Sequence, residues 1–102
     1  MANGKLGAAD LAANANTTVY NPTGATGTVT LSVVNRGASA ALVRVALAAT
    51  ATPTAAEWLE FDAYLPVAGV LERSAIVVGS GQYLVVRSSA AEVSAVAFGF
   101  EE

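Results

Sequence analysis

The sequence contains no cysteine and no histidine. Without cysteine there is no disulfide and no thiolate to act as nucleophile or metal ligand. Without histidine the commonest general base and the commonest metal ligand are both missing. Charge is scarce too: Asp, Glu, Lys and Arg make up 13% of the 102 residues, about half the usual share. The five basic residues are scattered and the net charge is −3, which argues against nucleic-acid binding by phosphate neutralisation. Long apolar runs are also missing. Leu11 to Asn35 carries no charge, but Asn, Thr, Gly and Pro break it well short of a membrane span. Gly7 to Asn16 is alanine interrupted by Asp10, Asn14 and Asn16, a poor match to the apolar core of a signal peptide.

What is present is an apolar fraction of 54%, much of it alanine, on a chain of single-domain length. A chain of this size buries roughly two-thirds of its unfolded surface, enough for a core without staples. Low charge and high apolar content fit an alanine-rich soluble domain. They fit better a protein that covers its surface with copies of itself or with a partner, because large apolar patches are rare on monomers.

Residues 1–16 mix small polar and apolar side chains without a period and read as an N-terminal arm, with a short helix conceivable over 8–13. Such an arm is expected to order only on assembly. From Thr17 onward the pattern is β. Thr17–Tyr20 is a first strand, and Asn21 to Gly27 is a turn punctuated by Pro22 and two glycines. Residues 28–35 alternate strictly, with Val29, Leu31 and Val33 on one face and Thr28, Thr30 and Ser32 on the other. Val43, Val45 and Leu47 repeat the pattern, followed by Leu59, Phe61, Ala63 and Leu65, then 70–78, 82–89 and 92–100. Thr54 and Glu57 have the spacing of a capping box, at the start of a short helical turn or in a plain loop. About seven strands with turn signals every eight to twelve residues predict an all-β fold: a single-domain antiparallel β-sandwich, jelly-roll-like, over 17–102. The core candidates are Val29, Leu31 and Val33, then Val43, Val45 and Leu47, then Leu59 and Phe61, with Val96, Phe98 and Phe100. The last strand is expected to pair with that of 82–89.

No catalytic, cofactor-binding or metal-ligating residue is expected. Glu60 and Asp62 stand two apart and are able in principle to share a proton or a cation. Charges kept on the solvent face of an edge strand explain them more simply. Glu72, Arg73 and Arg87 suit ion pairs across neighbouring strands. The segment "GSGQY" is a hairpin turn rather than a phosphate loop, and Asn16-Thr17-Thr18 matches a glycosylation acceptor by pattern only. Trp58, Tyr64 and Tyr83 suit either packing or a sugar-stacking platform.

Four segments carry a resemblance: "GKLGAADLAANANTTVYNPTG", "VVNRGASAALVRVALA", "PTAAEWLEFDAYLPVAGVLERSAIVV" and "VVRSS…VSAVAFGFEE". In this order and spacing they resemble small structural proteins encoded by tailed bacteriophages. One departure is "NPTG" after Tyr20, where a "VPAG"-like turn is expected. The resemblance implies a non-enzymatic virion component, assembled in the bacterial host cytoplasm and needing no cofactor. A capsid decoration (cement) protein is the first expectation; a tail, baseplate or fibre-associated module, or a carbohydrate- or host-surface-binding module, is the alternative. Its implied partners are further copies of itself and other virion proteins such as the major capsid protein, with no nucleic acid and no membrane. It also implies turn or close-packing roles for Gly37 and Gly99, and pairing roles for Arg36, Glu72 and Arg73.

Overall fold

The computed structural model describes residues 2–102, which form eight strands and no helix. In chain order these are β1 (Ala2–Leu11), β2 (Thr17–Tyr20), β3 (Gly27–Asn35), β4 (Ala41–Ala48), β5 (Trp58–Leu65), β6 (Val70–Val78), β7 (Tyr83–Ser88) and β8 (Val93–Glu101). β4 pairs with β5, β3 with β6, β2 with β7 and β1 with β8, all antiparallel. The second half of the chain therefore retraces the first as one long ribbon. Winding that ribbon adds the pairs β3–β8 and β4–β7. Two four-stranded sheets result, β1-β8-β3-β6 (sheet I) and β2-β7-β4-β5 (sheet II). This nested order is that of the jelly roll.

The core lies between the sheets and follows from alternation on the four central strands. Val29, Leu31 and Val33 of β3 meet Val43 and Val45 of β4, Leu84 and Val86 of β7, and Val93, Ala95 and Ala97 of β8. All are buried. Leu59 and Leu47 pack against this cluster from its rim.

Four expectations are corrected. Residues 2–11 are not an arm: they form β1, held by a full register of partners on β8 from Ala2↔Glu101 to Leu11↔Val93. Alanine, glycine and aspartate are poor strand formers, so this strand comes from tertiary pairing rather than propensity. No helix forms over 8–13. β8 does not pair with β7, which belongs to the other sheet; its neighbours are β1 and β3. Finally, Phe61, Phe98 and Phe100 are exposed rather than core, and Val96 is only half-buried.

Asn35 ends β3 as a buried polar knot. Its Nδ2 donates to the carbonyls of Ser39 (2.8 Å) and Leu65 (3.2 Å), and its Oδ1 accepts from the Gly37 amide (2.9 Å). Its own amide donates to the Gly69 carbonyl, and its carbonyl accepts from Ala68. One residue thus holds the 36–40 turn and the end of β5 through its side chain and the 66–69 turn through its backbone. At the opposite end, the buried Tyr20 hydroxyl donates to Glu101 (2.5 Å) and ties β2 to β8. Burial first, then the hydrogen bond to the Glu101 carboxylate, pushes the Tyr20 phenol up to about 12.

Replacing Asn35 with Ala orphans two carbonyls and an amide and is expected to cost about 2–4 kcal/mol in denaturant unfolding; a loss below about 1 kcal/mol contradicts this role. The raised Tyr20 pKa predicts a contribution to stability that is complete below pH 10 and lost as pH rises towards 12, because the folded state retains the phenolic proton that the unfolded state releases. Unfolding midpoints measured across that window should fall in the native protein and fall less in Tyr20→Phe.

Candidate interaction surfaces

The jelly roll presents two outer faces, and its side edges are blocked. On the β5/β6 side each edge strand carries a bulge. Phe61 and Asp62 together oppose Arg44, and Ser74 and Ala75 together oppose Thr30. Asp62 (φ 53°) and Ala75 (φ 60°) take the left-handed conformation that the extra residue demands. The phase shift brings Glu60 opposite the core residue Val45, while Arg73 lies opposite Leu31. These two charges meet across the gap between the sheets, Arg73 donating to Glu60 at 2.7 Å. Bulges and inward charges are how edge strands resist strand-to-strand sticking.

The outer face of sheet II carries a mixed aromatic and arginine cluster. The Arg44 guanidinium lies 4.0 Å from the Phe61 ring centre and donates to both Asp62 carboxylate oxygens. That pairing holds the Asp62 carboxyl below the usual carboxylate range and raises Arg44 further. Trp58 meets Phe61 edge to face at 5.6 Å. Arg87 is the cross-strand partner of Arg44, and both border a shallow cleft of about 150 Å³ with Asp62, Asn14, Leu42 and Ser89. Of the proposed stacking trio, Tyr64 is 71% exposed and Trp58 is half-buried. Tyr83, opposite Ala48 at the far end of β7, is also half-buried. Trp58 packs with Phe61 rather than with either tyrosine, so the three do not form one platform. Glu60 and Asp62 turn to different arginines instead of sharing a proton or cation. Among the described residues no three acidic side chains gather as a metal site would require.

The outer face of sheet I is different. Strand pairing brings Phe100, Thr28 and Val77 into one row, Phe98 and Thr30 into the next, then Val96, Ser32 and Glu72, then Ser94, Val34 and Val70. Phe100 is 63% exposed, Val70 57% and Val77 54%. A depression of about 550 Å³ opens at one end of the face, between Thr26, Thr28, Phe100 and Glu102. The charged residues of these four strands that stand on the outer face are confined to its margins, Lys5 and Asp10 on β1 and Glu72 on β6; Arg73 and Glu101 lie in phase with the inward positions, pairing with Glu60 and Tyr20. The sequence pattern located β3, β6 and β8 but missed β1 and assigned the wrong face of β8 to the core.

Several residues singled out in the sequence have structural roles. Gly99 is a close-packing glycine, since a Cβ there collides with the Thr28 carbonyl. Arg36 pairs with Asp10 (2.5 Å). Glu57 is the acceptor its spacing suggested, taking the amides of Thr54 and Ala49 into its two carboxylate oxygens, yet the segment is a turn without a helix. Those backbone donors hold its carboxyl below the usual range. Glu72 and Arg87, expected in ion pairs, have none among the described residues.

The chain matches no known family model, no curated protein and no solved structure.

If the phenylalanines of β8 serve the outer face and not the core, Phe98→Thr and Phe100→Thr should each leave folding stability within about 0.5 kcal/mol. Leu31→Ala, inside the sandwich, should cost about 2–5 kcal/mol. Urea unfolding of the three variants at a common dilute concentration checks this; comparable losses in all three contradict it.

Proposed function

We propose that this chain is a non-enzymatic structural protein of a virion that works in many copies, as a capsid decoration protein on an outer shell. The observation that carries the reading is the apolar outer face of sheet I, with Phe98, Phe100, Val70 and Val77 open to solvent and charge confined to its margins. A face of that kind is a docking surface rather than a reaction site. The resemblance of four segments to small phage structural proteins supports the same reading, and so does a blocked β5/β6 side that favours face contacts over strand addition. Many weak contacts repeated over a shell add up through avidity.

Quantitative mass spectrometry of purified virions tests this by counting copies against the major shell protein. The expected result is a copy number comparable to that of the shell protein. A handful of copies moves the protein to the tail, baseplate or fibre, and absence from the particle overturns the reading. A carbohydrate- or host-surface-binding module is the second reading, favoured by the exposed Tyr64 and the aromatic and arginine cluster beside it on sheet II. It requires glycan binding that is lost in Tyr64→Ala while folding is kept.

A further inference from the structure

We infer that the outer face of sheet I binds a second copy of the same face, forming a two-fold dimer. This deepens the assembly reading above and rests on it. Three observations single out this occupant. The first is size complementarity. The outward side chains of β8 are large where those of β3 are small: Phe100 beside Thr28, Phe98 beside Thr30, Val96 beside Ser32; in the last row the order reverses, with Ser94 beside Val34. A two-fold axis lying in the interface, along the strands between β8 and β3, lays β8 of each copy over β3 of the other. Each large side chain then faces a small one, and each such contact occurs twice.

The second is charge. The same axis lays β1 over β6. Lys5 of β1 stands in the Phe98 row and Glu72 of β6 in the Val96 row, one row away, roughly 7 Å along the strand. Neither has an ion-pair partner within the chain among the described residues. Across the two-fold they approach each other at both margins, leaving the centre free of charge; Asp10, one row on the other side of Glu72, is already neutralised by Arg36, and Asn3 falls on the polar rim. The third is area. Four strands about 4.8 Å apart and about nine residues long make a face of roughly 600 Å², so two copies hide roughly 1,200 Å², the lower limit for a stable interface.

Sedimentation equilibrium of the purified chain tests the inference. The mass should rise from 10.2 kDa towards twice that value as concentration increases. Thr30→Trp fills the recess that receives Phe98 and should abolish the rise. Lys5→Glu and Glu72→Lys should each weaken the dimer several-fold, and the double exchange should restore it. The two charge variants lie at exposed positions and keep the test valid if Thr30→Trp does not fold. A constant monomer mass, a dimer indifferent to Thr30→Trp in its folded form, or charge variants that do not rescue one another would each overturn the proposal. A chain abundant in virions yet monomeric alone rejects the dimer while leaving the assembly reading intact.

Discussion

The close approach of β8 to its paired neighbour β3 at Gly99 constrains which way the last strand faces. At Gly99 the backbone lies so close to Thr28 that no side chain fits between them. The inward positions of β8 run Val93, Ala95, Ala97 and Gly99, shrinking along the strand until Glu101 at its end accepts from Tyr20. Alternation then sends Val96, Phe98 and Phe100 outward. A close-packed interior accepts no extra volume without strain, so the exposed aromatics follow from the same constraint that packs the core. The apolar surface of sheet I is in this sense built by the fold.

Sheet edges and sheet faces are treated in opposite ways. β5 and β6 carry bulges at Asp62 and Ala75 and place Glu60 and Arg73 towards the interior, where they pair with each other. An incoming strand would meet a distorted edge rather than a regular ladder. The opposite side is closed by close approach: Gly7 of β1 packs so tightly on the Val19 carbonyl of β2 that a Cβ has no room. Phe98, Phe100 and Val77, by contrast, remain uncovered. A chain with these features is suited to associate through a defined face instead of an open-ended strand edge, the geometry that avoids runaway strand addition.

Much of the fold was legible in period-two alternation. The rows Val29/Leu31/Val33 and Val43/Val45 are core as the pattern requires, and the strands from β2 onward fall within a few residues of their expected places. What was hidden has particular causes. β1 was missed because its small and charged residues have little strand propensity and depend on β8 for their structure. Phe61 was misplaced because the bulge at Asp62 shifts the phase of β5, which alternation cannot register. β8 was inverted because both of its faces are apolar, so pattern alone does not say which is inside. That inversion concealed the surface now taken as functional: its residues were assigned to the core. The aromatic candidates Trp58, Tyr64 and Tyr83 were visible in the sequence, but Arg44 and Phe61, which organise that region, were not marked by any motif.

The central claim is that the outward phenylalanines of β8 are contact residues. The chain has three phenylalanines, so labelling with 4-fluorophenylalanine gives a ¹⁹F NMR spectrum of one resonance per site, with Phe61 on the other sheet as an internal control. The account predicts that the Phe98 and Phe100 resonances shift with protein concentration while Phe61 stays fixed. Invariant resonances at all three sites, or movement of Phe61 alone, would contradict it.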